Sequence, residues 1–285
     1  MNIAVTFLPR REPTPLPSIG FIGGGNMASA IIGGLIRRDT AAETFEVVEP
    51  FAEARARLLH DFGITAQAEA GAALARCAVV VWAVKPQSFA GAARPVGAFT
   101  GDALHLSVAA GIPSDSIARW LANERVVRAM PNTPALVGQG MTGLFARPAV
   151  DGAGRKLAEQ VLDATGDLLW VDDESALDAV TAVSGSGPAY VFYFIEAMTE
   201  AGVELGLSPE QAHQLAVGTF SGAAALAGNA SEPPSVLRER VTSKGGTTYA
   251  AIASLEGADV KAKFKAAIRA AHQRAGELAQ EFGRG

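Results

Sequence analysis

Residues 18–28 read Ser-Ile-Gly-Phe-Ile-Gly-Gly-Gly-Asn-Met-Ala, and this stretch predicts the fold of the first half of the chain. Its first five residues are a short apolar run, typical of a buried strand. The pattern G-x-G-x-x-A follows, and then a helical run over 29–38. Gly23 permits a tight turn, Gly25 lets a pyrophosphate approach the backbone, and Ala28 allows the helix to pack against the strand. This context favours dinucleotide binding over a glycine-rich turn without a ligand.

The rest of the first half repeats the alternation of strands and helices, which implies an open parallel sheet of the α/β Rossmann class. Strands are predicted over 45–49, 78–84, 103–109 and 125–129, with helices over 50–62 and from an N-cap at Ser114 to about residue 122. We expect a flexible extension over 1–17, a Rossmann domain over 18–174 and an all-α domain over 175–285.

Glu49 ends the second predicted strand, a little over twenty residues after the glycines. An acid at this point accepts hydrogen bonds from a ribose 2′-OH and repels a 2′-phosphate, which favours NAD. Arg55 and Arg57 on the next helix would soften that repulsion. The alternative is a carboxylate that stabilises the helix N-terminus through the helix dipole.

The ends of the later strands are further candidates, because ligands of such sheets bind beyond the carboxyl ends of the strands. We expect these ends to converge on the nicotinamide side of the crevice. Pro131 and Pro134 stiffen the last loop and hold Asn132 in place. The candidate residues at the other ends are Ala83, Val84, Lys85, Pro86, Ala109, Ala110 and Gly111.

The second half lacks strand patterns and reads as helices. Pro188 begins one helix, and Ser208 opens another with a capping-box pattern. That second helix, to about residue 227, is apolar over much of its circumference and needs burial inside a bundle or against another subunit. The flexible polar turn at 184–188 lies just before an apolar helix, and its simplest interpretation is a linker or a helix cap. A single long helix is predicted over 249–281.

Before that last helix runs Val-Thr-Ser-Lys-Gly-Gly-Thr-Thr, residues 241–248. A Gly-Gly turn that opens a helix presents unpaired N–H groups, and the helix dipole adds partial positive charge. The turn therefore suits a carboxylate or phosphate. The alternative is a helix N-terminus capped by Ser or Thr.

Composition excludes several classes of partner. The chain has 24 basic and 29 acidic residues among 285 and no basic stripe, so nucleic acid is not expected. Cys77 is the only cysteine and four histidines are scattered, so neither a disulfide nor a metal site is predicted. No apolar run reaches the roughly 20 residues of a membrane span, and no secretory signal pattern is present. We expect a cytoplasmic protein without membrane contact.

Taken in order, five segments resemble those of the pyrroline-5-carboxylate reductase family. The fifth segment is the 242–248 turn, which lies in a highly specific match over 234–256, and the family commonly has proline where this chain has Lys244. The other matching segments are 21–28, 83–86, 129–134 and 184–190.

The resemblance implies reduction of 1-pyrroline-5-carboxylate to L-proline by hydride from NADPH or NADH, the last step of proline biosynthesis. It also implies a homo-oligomer formed through the helical domain. Thr248 would contact the imine nitrogen, as the catalytic hydroxyl. The substrate carboxylate needs anion donors, which the amides of Gly245, Gly246 and Thr247 and the Ser243 hydroxyl can supply. The cofactor would be bound by Ile22, Gly23, Gly25, Asn26, Met27, Glu49, Asn132 and the three strand-end segments named above.

Two alternatives remain at this point. A β-hydroxyacid dehydrogenase also pairs a Rossmann domain with a helical one, but it needs a helix-borne lysine as proton donor, and neither Lys85 nor Lys244 fits that place. A nucleotide-sensing regulator would bind the cofactor without turnover, and the anion-binding turn argues against it.

Overall fold

The computed structural model describes residues 16–283 of the chain. The predicted extension over 1–17 lies almost wholly outside the described residues. At its end, Leu16 packs against the main hydrophobic core.

Seven strands form one sheet in the order β2-β1-β3-β4-β5-β6-β7. The four pairings from β2 to β5 are parallel, β6 is antiparallel to β5, and β7 is parallel to β6. The predicted Rossmann sheet is thus confirmed, with two further strands that the sequence did not reveal. The strands are β1 Ile19–Ile22, β2 Phe45–Val48, β3 Val79–Trp82, β4 Leu104–Ser107, β5 Val126–Met130, β6 Gly140–Ala146 and β7 Gly166–Trp170.

Helices cover both faces of the sheet and bury two apolar clusters. On one face Phe21, Ile31 and Leu58 belong to a cluster under α1, α2 and α5. On the other face Trp82, Phe89 and Ile117 belong to a cluster under α3 and α4. These helices are α1 Asn26–Ile36, α2 Ala52–Phe62, α3 Pro86–Gly97, α4 Ser114–Leu121 and α5 Gly152–Leu162.

The chain after β7 is helical, as predicted. Ser208 caps α8 with the expected box, because its hydroxyl accepts from the Gln211 amide and the Gln211 side chain accepts from the Ser208 amide. A π-helical turn, Thr181–Gly185, links the first two helices of this part. The helices are α6 Ala176–Val180, α7 Gly187–Glu204, α8 Pro209–Asn229, α9 Pro234–Arg240, α10 Thr247–Gly257 and α11 Val260–Phe282.

Two local predictions were wrong. The single helix expected over 249–281 is two helices, because Asp259 adopts a left-handed conformation (φ 55°) between α10 and α11. Ser114 is not an N-cap, since Pro113 occupies that position. Instead the Ser114 amide and hydroxyl both donate to the Glu174 carboxylate, at 2.6 and 2.5 Å.

Glu174 also receives the buried Arg128 guanidinium at 2.6 Å. This carboxylate therefore joins β5 and the start of α4 to the beginning of the helical part. None of the helices within residues 16–283 combines the length and the apolar character that a membrane span requires.

Candidate active site

Three strand ends lie side by side at the carboxyl edge of the sheet. The register pairs Ile22 with Trp82 and Trp82 with Ser107. The next residues continue this alignment, because Ala83 N donates to Ile22 O at 2.9 Å and Val108 N donates to Trp82 O at 3.1 Å. The predicted cofactor segments after β1, β3 and β4 are therefore neighbours.

The glycine-rich turn has the shape that its sequence predicts. Gly23 lies at φ 95°, and a Cβ there would stand 2.6 Å from the Ala83 carbonyl oxygen, so only glycine fits. At Gly25 the added Cβ would meet nothing within 4 Å, which leaves open space in front of α1.

Helix α1 begins at Asn26, with Gly25 as its N-cap, three residues earlier than predicted. The amides of its first turn, which include those of Asn26 and Met27, thus face the open space at Gly25. Free amides and a helix N-terminus suit an anion, so the turn fits a pyrophosphate.

Glu49 lies at the carboxyl end of β2, and its carboxylate shapes the turn itself. Its Oε2 accepts from Gly24 N at 2.7 Å and its Oε1 from Phe51 N at 2.9 Å, with only 5% of the residue exposed. The Arg55 side chain folds back and donates to the carbonyl oxygens of Glu49 and Pro50. Each carboxylate oxygen retains a second lone pair, so contact between Glu49 and a ribose stays a prediction.

The segments after β3 and β4 border the same edge. Lys85 is the exposed N-cap residue of α3, and Pro86 is the first residue of that helix. After β4, Ala109 N donates to Ser107 Oγ at 3.3 Å. Gly111 then turns the chain at φ 73°.

Asn132 ties this edge to the helical part of the chain. Its Nδ2 donates to Ser184 Oγ at 3.1 Å, in the π-helical turn. Its Oδ1 accepts from Met141 N at 2.9 Å, at the start of β6. The polar stretch at 184–188 is thus an anchored junction rather than a free linker, and a cofactor contact by Asn132 stays a prediction.

The turn before α10 has a glycine cap. Gly246 is the N-cap residue and no side chain caps the helix, so the alternative of a Ser or Thr cap is wrong. Gly245 lies at φ 77°, and the Gly246 amide donates to Ser243 O at 3.0 Å. The Gly246 amide is therefore engaged within the turn, and the amides left for an anion are those of Gly245 and of Thr247 and Thr248 in the first turn of α10.

Thr248 is half-buried, whereas Ser243, Lys244 and Thr247 are exposed. Among residues 16–283, no hydrogen bond or ion pair joins 243–248 to the glycine-rich turn at 23–28. Within one described chain, the two candidate binding regions are therefore not linked by any polar contact.

Large apolar side chains are exposed on the helical part. Among them are Phe192 and Tyr193 on α7, with 63% and 68% of their surface exposed, and Leu215 and Leu226 on α8, with 58% and 68%. Exposed apolar patches mark surfaces that contact another protein, a membrane or a ligand.

The carboxyl edge of a Rossmann sheet, with an anion-binding turn, defines a dinucleotide-dependent oxidoreductase. The exposed apolar helices give this oxidoreductase a helical region for assembly. Residues 174–278 match the family model described as pyrroline-5-carboxylate reductase dimerisation, and residues 18–111 match the model described as NADP oxidoreductase, coenzyme F420-dependent. A pyrroline-5-carboxylate reductase of Pseudomonas aeruginosa is 46% identical over 269 residues, which cover 94% of this chain and 98% of that protein. The chain belongs to the pyrroline-5-carboxylate reductase family.

Solved structures agree. A pyrroline-5-carboxylate reductase from Coxiella burnetii, 37% identical, superposes with a TM-score of 0.87 over 92% of this chain and 98% of that chain. The Plasmodium falciparum pyrroline carboxylate reductase, solved with NADP bound, is 26% identical, with a TM-score of 0.83 over 94% of this chain and 100% of that chain.

The structure and the family membership also bear on the two alternative functions, a β-hydroxyacid dehydrogenase and a nucleotide-sensing regulator. Lys85 and Lys244 both precede helices rather than lying within them, so neither is the helix-borne proton donor of a β-hydroxyacid dehydrogenase. The family membership argues against a regulator without turnover.

Sequence reasoning missed two contacts at this site. One is the Glu49 carboxylate on the Gly24 amide, and the other is the end of α11, where Phe282 packs close to Gly111. No local sequence pattern predicts either contact, because each joins residues far apart in the chain.

Proposed function

We propose that the chain reduces 1-pyrroline-5-carboxylate to L-proline with NAD(P)H, as the last step of proline biosynthesis in the cytoplasm. The observation that carries this proposal is the glycine-capped start of α10, a small backbone-lined anion site in a chain that also holds a dinucleotide edge. We propose the division into 1–17, 18–174 and 175–285 as the extension, the cofactor domain and the substrate and dimerisation domain.

The residues of the turn bind and orient the substrate. The Gly245 and Thr247 amides and the Ser243 hydroxyl donate to the substrate carboxylate, where the dipole of α10 adds to the attraction. The Gly246 amide fixes the shape of the turn through its bond to the Ser243 carbonyl.

Thr248 provides a hydroxyl at the imine nitrogen. A donor there makes the imine carbon a better acceptor, because charge that develops on nitrogen meets a hydrogen bond already in place. When bound, NAD(P)H supplies the hydride, and the protein supplies alignment. A neutral hydroxyl also suits a site that first holds an iminium and then releases an amine.

The edge of the sheet holds the cofactor. The amides at Gly25, Asn26 and Met27 would hold the pyrophosphate, and the segment after β4 would contact the nicotinamide end. Glu49 would accept from the adenosine ribose.

We further propose that the active site is completed in a homodimer. The apolar faces of α7 and α8 need a partner, and the family model that matches here is one of dimerisation. On this proposal the substrate turn meets the cofactor edge of the partner, and the absence of a polar contact between 243–248 and 23–28 within the described chain is compatible with that arrangement.

The reaction is tested by oxidation of NADPH and of NADH with 1-pyrroline-5-carboxylate, with proline quantified. Equal amounts of proline and oxidised cofactor support the proposal, and no consumption with either cofactor refutes it.

Shared sites are tested by mixing two inactive variants, Thr248→Ala and Gly23→Val, under conditions of subunit exchange. If the cofactor and substrate regions come from different subunits, hybrid dimers regain one intact site, and activity recovers to about a quarter of wild type. No recovery despite exchange would show that each site lies within one chain.

A further inference from the structure

The last turn of α11 packs against the loop that follows β4. A Cβ placed on Gly111 would lie 3.2 Å from the Phe282 ring and 3.3 Å from Leu278 Cβ. Phe282 also packs against the apolar cluster that contains Ile112 and Ala109. The loop and the helix end are thus in direct contact, with no room for a side chain between them.

Hydrogen bonds fix the same contact. Ser116, a buried residue of α4, donates from its hydroxyl to the Gly283 carbonyl at 2.9 Å. The Arg119 guanidinium donates to the same oxygen at 3.3 Å. Gly283 also lies close to the Pro113 ring, since a Cβ there would be 3.0 Å from Pro113 Cγ. The end of α11 therefore holds both the loop and the beginning of α4.

The other end of this helix is anchored elsewhere. Phe264, near its start, packs edge to face on Tyr190 and Phe194 of α7, with ring centroids 5.6 Å apart in both pairs. The helix thus runs from the apolar helical region to the edge of the sheet. A rigid element of about 1.5 Å per residue transmits position between its two contacts.

Gly111 needs this support because it is the bend of the loop. Glycine adopts a φ of 73° at little cost. Glycine also has more accessible backbone conformations than any other residue, so it leaves this one most easily. An unsupported loop of this kind samples several conformations, and a ligand then binds only the fraction in the competent one.

We propose that Phe282 and Leu278 are positioning residues, which hold the loop at 109–113 in the shape that receives the nicotinamide end of the cofactor. This inference rests on the proposed function for the place of the nicotinamide. Phe282 contacts the loop and the cluster beneath it, so it acts through Gly111.

The test compares Phe282→Ala with Gln280→Ala, an exposed residue in the same last turn. The dissociation constants of NADPH and NADH are measured by fluorescence titration without substrate. Amide hydrogen exchange over 109–113 is measured in the cofactor-free protein. We expect Phe282→Ala to raise the dissociation constant roughly three- to tenfold and to speed exchange in the loop. Gln280→Ala should change neither.

Steady-state kinetics add a readout that a merely structural role would not move. The KM for the cofactor should rise while the KM for the imine stays within about twofold. Phe282→Leu keeps an apolar contact and replaces the alanine variant if the latter fails to fold, with a smaller rise expected.

A folded variant with the dissociation constant and loop exchange of wild type overturns the proposal, as does an equal effect of Gln280→Ala. Should wild type fail to reduce the imine, the proposed function falls, while titration and exchange still decide the role of Phe282.

Discussion

Replacement of Glu49 by Gln is expected to weaken the glycine-rich turn. The carboxylate accepts from Gly24 N at 2.7 Å and from Phe51 N at 2.9 Å, and the residue is 5% exposed. A glutamine has one acceptor oxygen, so one of these two amides loses its acceptor. A buried donor without an acceptor costs about 1–3 kcal/mol, and the free energy of unfolding should fall by that amount.

The same change removes a negative charge from the ribose end of the crevice. Two unit charges about 6 Å apart, at an effective dielectric constant of about 40, interact by about 1.4 kcal/mol. Relief of that repulsion toward a 2′-phosphate is worth about tenfold in binding. We therefore expect the ratio of kcat/KM for NADPH over NADH to rise about tenfold in the variant.

The assay is steady-state kinetics with each cofactor, with urea unfolding of the same samples. Glu46→Gln is the matched control, because it removes the same charge from the same strand at a residue that pairs with Arg76. The control should leave the cofactor ratio unchanged. An unchanged ratio in Glu49→Gln would refute a carboxylate that faces the ribose, and undiminished stability would refute its hold on the two amides.

Other predictions concern the framework. Glu174→Ala should lower the free energy of unfolding by about 3–5 kcal/mol in urea titrations, because the buried Arg128 charge loses its partner. A loss under about 1 kcal/mol would contradict this prediction. Burial lowers the pKa of His105 from 6.5 to about 4. Its neutral form therefore stabilises the fold fully above pH 6.5, and up to about 3 kcal/mol disappears as pH falls from 6.5 toward 4. In urea unfolding at pH 7 and pH 5, His105→Phe should lose less stability than wild type, and an identical loss would count against this role.

The sheet was predictable where strands are continuous apolar runs. Val79–Trp82 consists only of apolar residues, and such a run fits a strand buried on both faces. The strand Gly140–Ala146 was missed because two glycines interrupt its pattern and because it pairs antiparallel, without a preceding crossover helix. The short Gly166–Trp170 strand gives a similarly weak signal.

The long-range contacts of the site could not be predicted. Ser114 was predicted to be the N-cap of a helix, yet its amide donates to Glu174, sixty residues away. Likewise the alanine-rich stretch after residue 249 reads as one helix, and the left-handed turn at Asp259 carries no distinctive local sequence. Glycine motifs at fixed spacing could be predicted because the local backbone conformation requires glycine. Hydrogen-bond partners far apart in the chain could not be predicted, because the tertiary fold brings them together.

This chain reduces 1-pyrroline-5-carboxylate, and we propose that Thr248 donates to the imine nitrogen. The role of Thr248 is tested by the kcat of wild type, Thr248→Ala and Thr248→Ser with this substrate at saturating NAD(P)H. We expect wild type to form proline, and the alanine variant to lose on the order of a hundredfold in kcat with its cofactor KM unchanged. The serine variant should keep most of the rate. An alanine variant that turns over as fast as wild type, or a wild type that forms no proline, would contradict these expectations.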